Sequence, residues 1–325
     1  MPINRIFITC NEGSKKSRDL ELKKLLITGF SGFTGRHLVK FIKELGNIEP
    51  VGIDLQADPS IRSYALDLRK PEDLDKILAE EKADYIIHLA GVTKAEKFSD
   101  YYEGNVYTAL NLFEALLTAG LLNTKILLIS SSAVYGRSRR KIVDEQVQVH
   151  PVNFYGSSKL AMEMAAIPYT ENYGLSISIV RPFNLIGQGQ SPEFVIPSFI
   201  MQLLEIKYRS GNPVIKTGDL SGKRDFIDVE EAIPAYWKVL TRSGRYGVYN
   251  IGSGKAISVQ DVLEKLIKMI GVKVAHEVEP QRVQKYQIKE LVSDNRRINS
   301  LGWFSQKPLE NSLQEMIAYY MQKYF

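Results

Sequence analysis

The chain has 325 residues, 44% hydrophobic and 24% charged, the balance of a soluble globular protein with length for one large core or two domains. Its net charge of +5, from 42 basic and 37 acidic residues, is dispersed; the one basic cluster, 137–141, lacks interleaved aromatics and reads as a solvated loop, so no nucleic-acid partner is expected. No apolar run approaches the ~20 residues that span a bilayer, and the first ten residues are too briefly apolar for a secretory leader, so the expectation is a cytoplasmic protein with no membrane partner. Cys10 is the single cysteine, which excludes intramolecular disulfides and thiolate metal cages. His37, His88, His150 and His276 show no ligand spacing, and no metal site is expected.

Residues 1–21 read as an extension, polar from Asn11 onward, ahead of the first strand at 24–27. Next comes Thr28-Gly-Phe-Ser-Gly-Phe-Thr-Gly35, and then a helix whose apolar residues at 38, 39, 41, 42 and 45 share a face. Strand, glycine turn and helix form the context of a dinucleotide-binding loop. Gly29 allows the tight turn, Gly32 leaves room for a pyrophosphate, and Gly35 lets helix and strand pack closely. The strand at 51–54 ends in Asp54, 19 positions beyond Gly35, where a carboxylate can grip an adenine-ribose 2′-OH. That carboxylate repels a 2′-phosphate, so NAD(H) is favoured over NADP(H), although Arg62 could reach the same region if the loop folds back.

A short strand at 63–67 leads to Pro71, which opens a helix over 72–82. Strands at 84–91 and 125–130 flank a helix at about 101–119. A helix at about 154–172 follows, which Pro168 should kink or cut short, and then a strand at 175–180. This alternation predicts an α/β fold with a doubly wound parallel sheet over 22–183. The rhythm breaks at Arg181-Pro182. Beyond it lie one helix near 198–205, a helix over 228–240 and a strand at 248–251. Ser258 and Asp261 form a capping box that opens a helix over 259–270, and a last helix starts at Leu309. Residues 184–325 are expected to form mainly a smaller substrate-binding lobe, with 223–252 returning to the sheet.

Tyr155 and Lys159 are four apart on a helix and share a face. An ammonium near a phenol, whose ordinary pKa is ~10, favours phenolate and suits it to proton exchange with a substrate oxygen. Tyr319 and Lys323 have the same spacing but read as surface residues, because only Tyr155 opens a helix behind a serine cluster, 130–132, that ends a strand.

These residues jointly resemble the extended short-chain dehydrogenases that modify nucleotide-linked sugars. The resemblance covers nearly everything from Lys24 onward and rests on the glycine loop, His88-Leu-Ala-Gly91, Ser130-Ser-Ser-Ala-Val-Tyr-Gly136, Tyr155-x-x-x-Lys159, Arg181-Pro-Phe-Asn184, Arg224-Asp-Phe-Ile-Asp228 and Tyr249-Asn-Ile-Gly252. It implies a catalytic triad of Tyr155, Lys159 and Ser131, with Ser132 the adjacent alternative to Ser131. Cofactor contacts are implied at Gly29, Gly32, Phe33, Thr34, Gly35, Asp54, Asp67, Leu68, Leu89, Ala90, Gly91, Tyr155 and Lys159. Substrate contacts are implied at Thr93, Ser132, Asn184, Val195, Lys216, Arg224 and Arg282. His88 reads as a packing residue, and the exchange of the family's usual Ala for Gly91 as a harmless change in size.

In the family's 4,6-dehydratases an acidic residue follows the active Ser or Thr. Here Ser132 and Ala133 follow, and neither can serve as that acid or base. The stretch 181–197, with 215–226 and 294–303, resembles GDP-6-deoxy-4-keto-D-mannose reductases, except that Asp219 replaces a usual Asn and Val283-Gln-Lys follows Arg282 in place of an Arg-Pro pair nearby. Arg224 offers a charged fork to a diphosphate, or else a structural ion pair to Asp225 or Asp228. The expectation is a reductase of a nucleotide-linked 4-keto-6-deoxy sugar, with a C4 epimerase as the alternative and a dinucleotide-sensing binding protein as a third reading. The family commonly dimerises through the helices at 101–119 and 154–172, and a homodimer is expected by that analogy.

Overall fold

Leu25, Leu26 and Ile27 are all fully buried, so the strand that holds them, β1 (Lys23–Thr28), must be covered on both faces. The computed structural model describes residues 22–209, 212–282 and 289–325; the extension read over 1–21, with Cys10, and the residues that directly follow Arg282 lie outside the described residues. After β1 come α1 (Phe33–Leu45), β2 (Ile48–Asp54), β3 (Arg62–Ala65), α2 (Leu74–Glu81), β4 (Tyr85–His88), α3 (Phe98–Tyr102), α4 (Thr108–Thr118), β5 (Lys125–Ile129), the short β6 (Ile142–Val143), α5 (Phe154–Tyr173) and β7 (Ser176–Pro182). The second half adds β8 (Asn184–Ile186), α6 (Val195–Arg209), β9 (Val214–Thr217), β10 (Lys223–Asp228), α7 (Val229–Arg242), β11 (Tyr246–Ile251), β12 (Ala256–Ser258), α8 (Val259–Ile270), β13 (Ala275–Val278), β14 (Val292–Ser293), α9 (Arg296–Asn299) and α10 (Leu309–Tyr324).

Seven strands form one parallel sheet in the order β11-β7-β5-β4-β1-β2-β3. The chain runs outward from β1 to β3 and then crosses back to β4, so the crevice between the carboxyl ends of β1 and β4 is the switch point at which doubly wound sheets bind ligands. Leu25 and Ile27 face α1 and α7, where Leu38, Ile42, Ile233 and Val239 are buried. Leu26 faces the other way, into a cluster with Leu78 of α2, Leu112 of α4 and Met162 of α5. A third cluster joins α6, α8 and α10, and β11 brings the chain back to the sheet edge beside β7. Ser258 Oγ accepts from Asp261 N at 2.9 Å, as the capping box requires.

Four local expectations differ from the structure. Pro168 does not cut α5 short: the helix continues to Tyr173, because Met162, Ala166 and Thr170 bury one face against the sheet core. The helix expected at 101–119 is three pieces, α3, a π-helical turn over Glu103–Tyr107 and α4; the wide turn buries Asn105. Helix α2 starts at Leu74 because Asp73 N and Leu74 N both bond Pro71 O at 3.0 Å, making a turn of the residues before it. Helix α6 is longer than expected, since Pro197 sits in its first turn, where a missing N–H costs little.

Candidate active site

Gly29 leaves β1 with φ 70°, and a Cβ on it would come 2.7 Å from Ala90 N. The glycine turn is thereby pressed against 89–91, where Leu89 N bonds Thr28 O at 3.1 Å and Ala90 N bonds Thr28 Oγ1 at 3.2 Å. A Cβ on Gly35 would stand 2.4 Å from Phe30 O, so α1 can meet the turn only with glycine there. No side chain caps α1 at Gly32, and the N–H groups of its first turn, which includes Phe33 and Thr34, suit an anion. This donor set fits a dinucleotide pyrophosphate.

Asp54 ends β2 beside the turn. Its Oδ2 accepts from Ser31 N at 3.0 Å and Ser31 Oγ at 2.7 Å, and its Oδ1 from Leu55 N at 2.8 Å. Arg62 does not fold back to it: Arg62 begins β3 opposite Val51 and is held by Glu80 and Glu81. Asp67 is gripped by Arg69, whose hydrogen bonds hold that carboxyl below its usual range, and Leu68 is buried.

Across the crevice, Asn153 caps α5 by accepting from Gly156 N at 2.7 Å, which fixes the turn that presents Tyr155. Burial lifts the Tyr155 phenol above its ordinary value, and its hydrogen bond with the Ser131 hydroxyl pulls the other way. Of the two serines it is Ser131 that acts on the phenol; Ser132 opens the following 3₁₀ turn, whose Ala133 N bonds Ser131 Oγ at 3.1 Å. Lys159 donates from Nζ to Ile129 O at 2.9 Å, and burial brings it down to about 8. The phenol is thus raised where a lowering was expected, because desolvation of Tyr155 dominates and Lys159 is not among the groups that shift it. His88 is buried between Thr28 Oγ1 at 2.9 Å and Thr108 Oγ1 at 3.4 Å, and burial holds it neutral at about 3.

Gly91 is not a neutral change in size. A Cβ there would lie 2.4 Å from Asn105 Oδ1, which accepts from Val92 N at 3.0 Å while Asn105 Nδ2 donates to Ser158 Oγ at 2.9 Å. Sequence reasoning missed Asn105, Glu163 and Arg181. Glu163 continues the Tyr155, Lys159 series by four more residues, a spacing that could have found it.

The substrate-lobe candidates are less gathered. Thr93 is exposed, and Val195 opens α6 39% exposed. Asn184 Nδ2 staples β8 to β10 by bonding Asp225 O at 3.0 Å. Lys216 and Arg282 both bind Glu279, at 2.9 and 2.6 Å. Arg224 is half-buried with its guanidinium against Gly222, and burial lowers it while Asp219 acts the other way. Asp225 and Asp228 are otherwise engaged, the first by Ser253, Gly254 and Ser293, the second by Lys307.

Loop 187–190 clasps the two halves. His37 Nε2 donates to Gln188 O at 2.8 Å and Arg36 Nη2 to Gly189 O at 3.3 Å, while Tyr320 OH of α10 donates to Gln190 O.

Known proteins are similar to this chain over nearly its whole length. The GDP-6-deoxy-D-mannose reductase of Pseudomonas aeruginosa is 30% identical over 306 residues, covering 91% of this chain and 96% of its own. A UDP-glucose 4-epimerase of Lactobacillus helveticus is 27% identical over 91% of this chain and 95% of its own. Among solved structures, RMD from Pseudomonas aeruginosa complexed with NADPH superposes with a TM-score of 0.82 at 28% identity, covering 92% of this chain and 99% of that one. Residues 25–252 match the NAD dependent epimerase/dehydratase family, and the chain belongs to that family.

Proposed function

We propose that this chain reduces the C4 keto group of a nucleotide-linked 4-keto-6-deoxy sugar, converting GDP-4-keto-6-deoxy-D-mannose to GDP-D-rhamnose with NADH favoured over NADPH. The observation that carries this reading is the Ser131–Tyr155 hydroxyl pair at the carboxyl edge of the sheet, followed by Ser132 and Ala133 where an eliminating enzyme needs a carboxylate. When bound, a reduced nicotinamide supplies hydride to the C4 carbon. Ser131 holds the keto oxygen, and Tyr155, whose phenol stays protonated at neutral pH, donates the proton that the oxygen needs. Lys159, charged below pH about 8, holds the nicotinamide ribose. Asp54, already turned by Ser31 toward the loop, meets the adenine ribose and disfavours a 2′-phosphate.

Incubation with the 4-keto sugar nucleotide and NADH tests this reading: NADH should disappear one for one with product. A chain that retains NAD through purification and interconverts C4 epimers with none added would instead be an epimerase, the second reading, which the 27% identity to a 4-epimerase keeps in view. We also propose a homodimer through α3–α4 and α5, supported by Phe98, Tyr107, Phe154 and Tyr173, each at least half exposed on those segments. A monomeric mass in light scattering would reject it.

A further inference from the structure

Glu163 lies one helical turn beyond Lys159 on α5, and the chemistry above leaves it without a task. Its side chain is 1% exposed. Oε1 accepts from Ser130 Oγ and from Arg181 Nε at 3.0 Å, and Oε2 from Arg181 Nη2 at 2.6 Å. Arg181 Nη1 continues to Tyr135 OH at 3.0 Å, and that hydroxyl donates to Asn250 Oδ1 at 2.7 Å. A buried ion pair gives little net stability over an apolar pair of the same volume, so its presence beneath the reacting groups points to a different use.

We propose that Glu163 is a positioning residue: its carboxylate ties the helix that carries Tyr155 and Lys159 to the strand end that carries Ser131. The tie to the strand is Ser130, the residue before Ser131, and the tie across the sheet is Arg181 of β7. The proposal rests on the reductase reading for what the three residues do, but the geometry stands without it.

Its charge also acts on Lys159. Tyr155 and Glu163 flank Lys159 in sequence at helical spacing; the carboxylate of Glu163 and neutral His88 of β4 interact with that ammonium, with Arg181 of β7 and Tyr246 of β11 acting on Glu163 from the far side. Burial pulls Lys159 down to about 8, and Glu163 is the neighbour that pulls it up. Without the carboxylate the ammonium would lose its proton at lower pH.

The test compares wild type, Glu163→Gln and Ser130→Ala. Lys159 is titrated in the cofactor-free protein by ¹³Cε NMR, with Lys159→Met as the assignment control, and kcat is measured against pH with NADH and the keto sugar nucleotide. In Glu163→Gln the Lys159 midpoint should fall by about one pH unit, the alkaline limb of kcat should move with it, and kcat at pH 7 should drop about tenfold with KM little changed. Ser130→Ala, which keeps the charge, should lower kcat about threefold with the midpoint unmoved. An unmoved midpoint in folded Glu163→Gln, or wild-type kcat in Ser130→Ala, overturns the proposal; the second arm decides alone if Glu163→Gln does not fold. A wild-type chain that reduced no keto sugar would sink the reaction assignment, while the NMR titration would still judge Glu163.

Discussion

Glu163 and Arg181 meet with 1% and 6% of their side chains exposed, whereas Glu279 holds Lys216 and Arg282 where those cations are 56% and 43% exposed. Both regions collect charge, but only the first is shut away from water. Water screens the second, and two long cations held by one carboxylate can exchange it for a phosphate at little cost. On the proposed function, the carboxyl edge of the sheet is the prearranged part and the outer lobe the part whose cations are parked.

Tyr155→Phe should have the largest effect on that contrast, lowering turnover about 10²–10⁴-fold while the NADH dissociation constant, read by calorimetry, barely moves. Substantial remaining turnover would show that the prearranged edge is not where the proton is delivered. Arg181→Met leaves Glu163 buried without its guanidinium partner and should cost about 3–5 kcal/mol in urea unfolding. The pH profile comes next. Lys159 sits below its unfolded value, at about 8, so its charge is complete below that pH and is lost as pH rises through it; kcat should decline above pH about 8, roughly tenfold per unit once past the midpoint. Glu279→Gln should be mildest, with a melting temperature within about 2 °C of wild type and KM unchanged or lower. If it were as damaging as Arg181→Met, the distinction between fixed and parked charge would fail.

The sheet was legible because buried parallel strands read as short apolar runs separated by helical periods, and the glycine loop because Gly29 and Gly35 sit where backbone atoms leave no room for a Cβ. That Tyr155 and Lys159 share a helix face was legible from spacing, but Tyr319 and Lys323 show the same spacing, and only the place of Tyr155 at the start of a helix, behind the strand that ends at the serine cluster, set the first pair apart. The π turn at Asn105 was not, since nothing local demands it: the amide is recruited by Val92 and Ser158, distant in sequence. Of the two effects expected of Pro168, the shortening did not occur, because propensity argues from the backbone alone and packing at 162, 166 and 170 outweighs one missing hydrogen bond. Arg62 misled for a similar reason, as its fate depends on Glu80 and Glu81 of a neighbouring helix. The state of the phenol could not be read either, because desolvation exists only once the chain is folded.

The backbone stretch at 187–190 receives Arg36 and His37 from the helix that opens on the phosphate cradle, and Tyr320 from the last helix of the chain. The helix behind the glycine turn and α10 are therefore joined through one short loop. Seating the dinucleotide should slow amide exchange in α10 as well as in α1, and Tyr320→Phe, which touches neither ring nor phosphate, should loosen coenzyme about threefold by calorimetry.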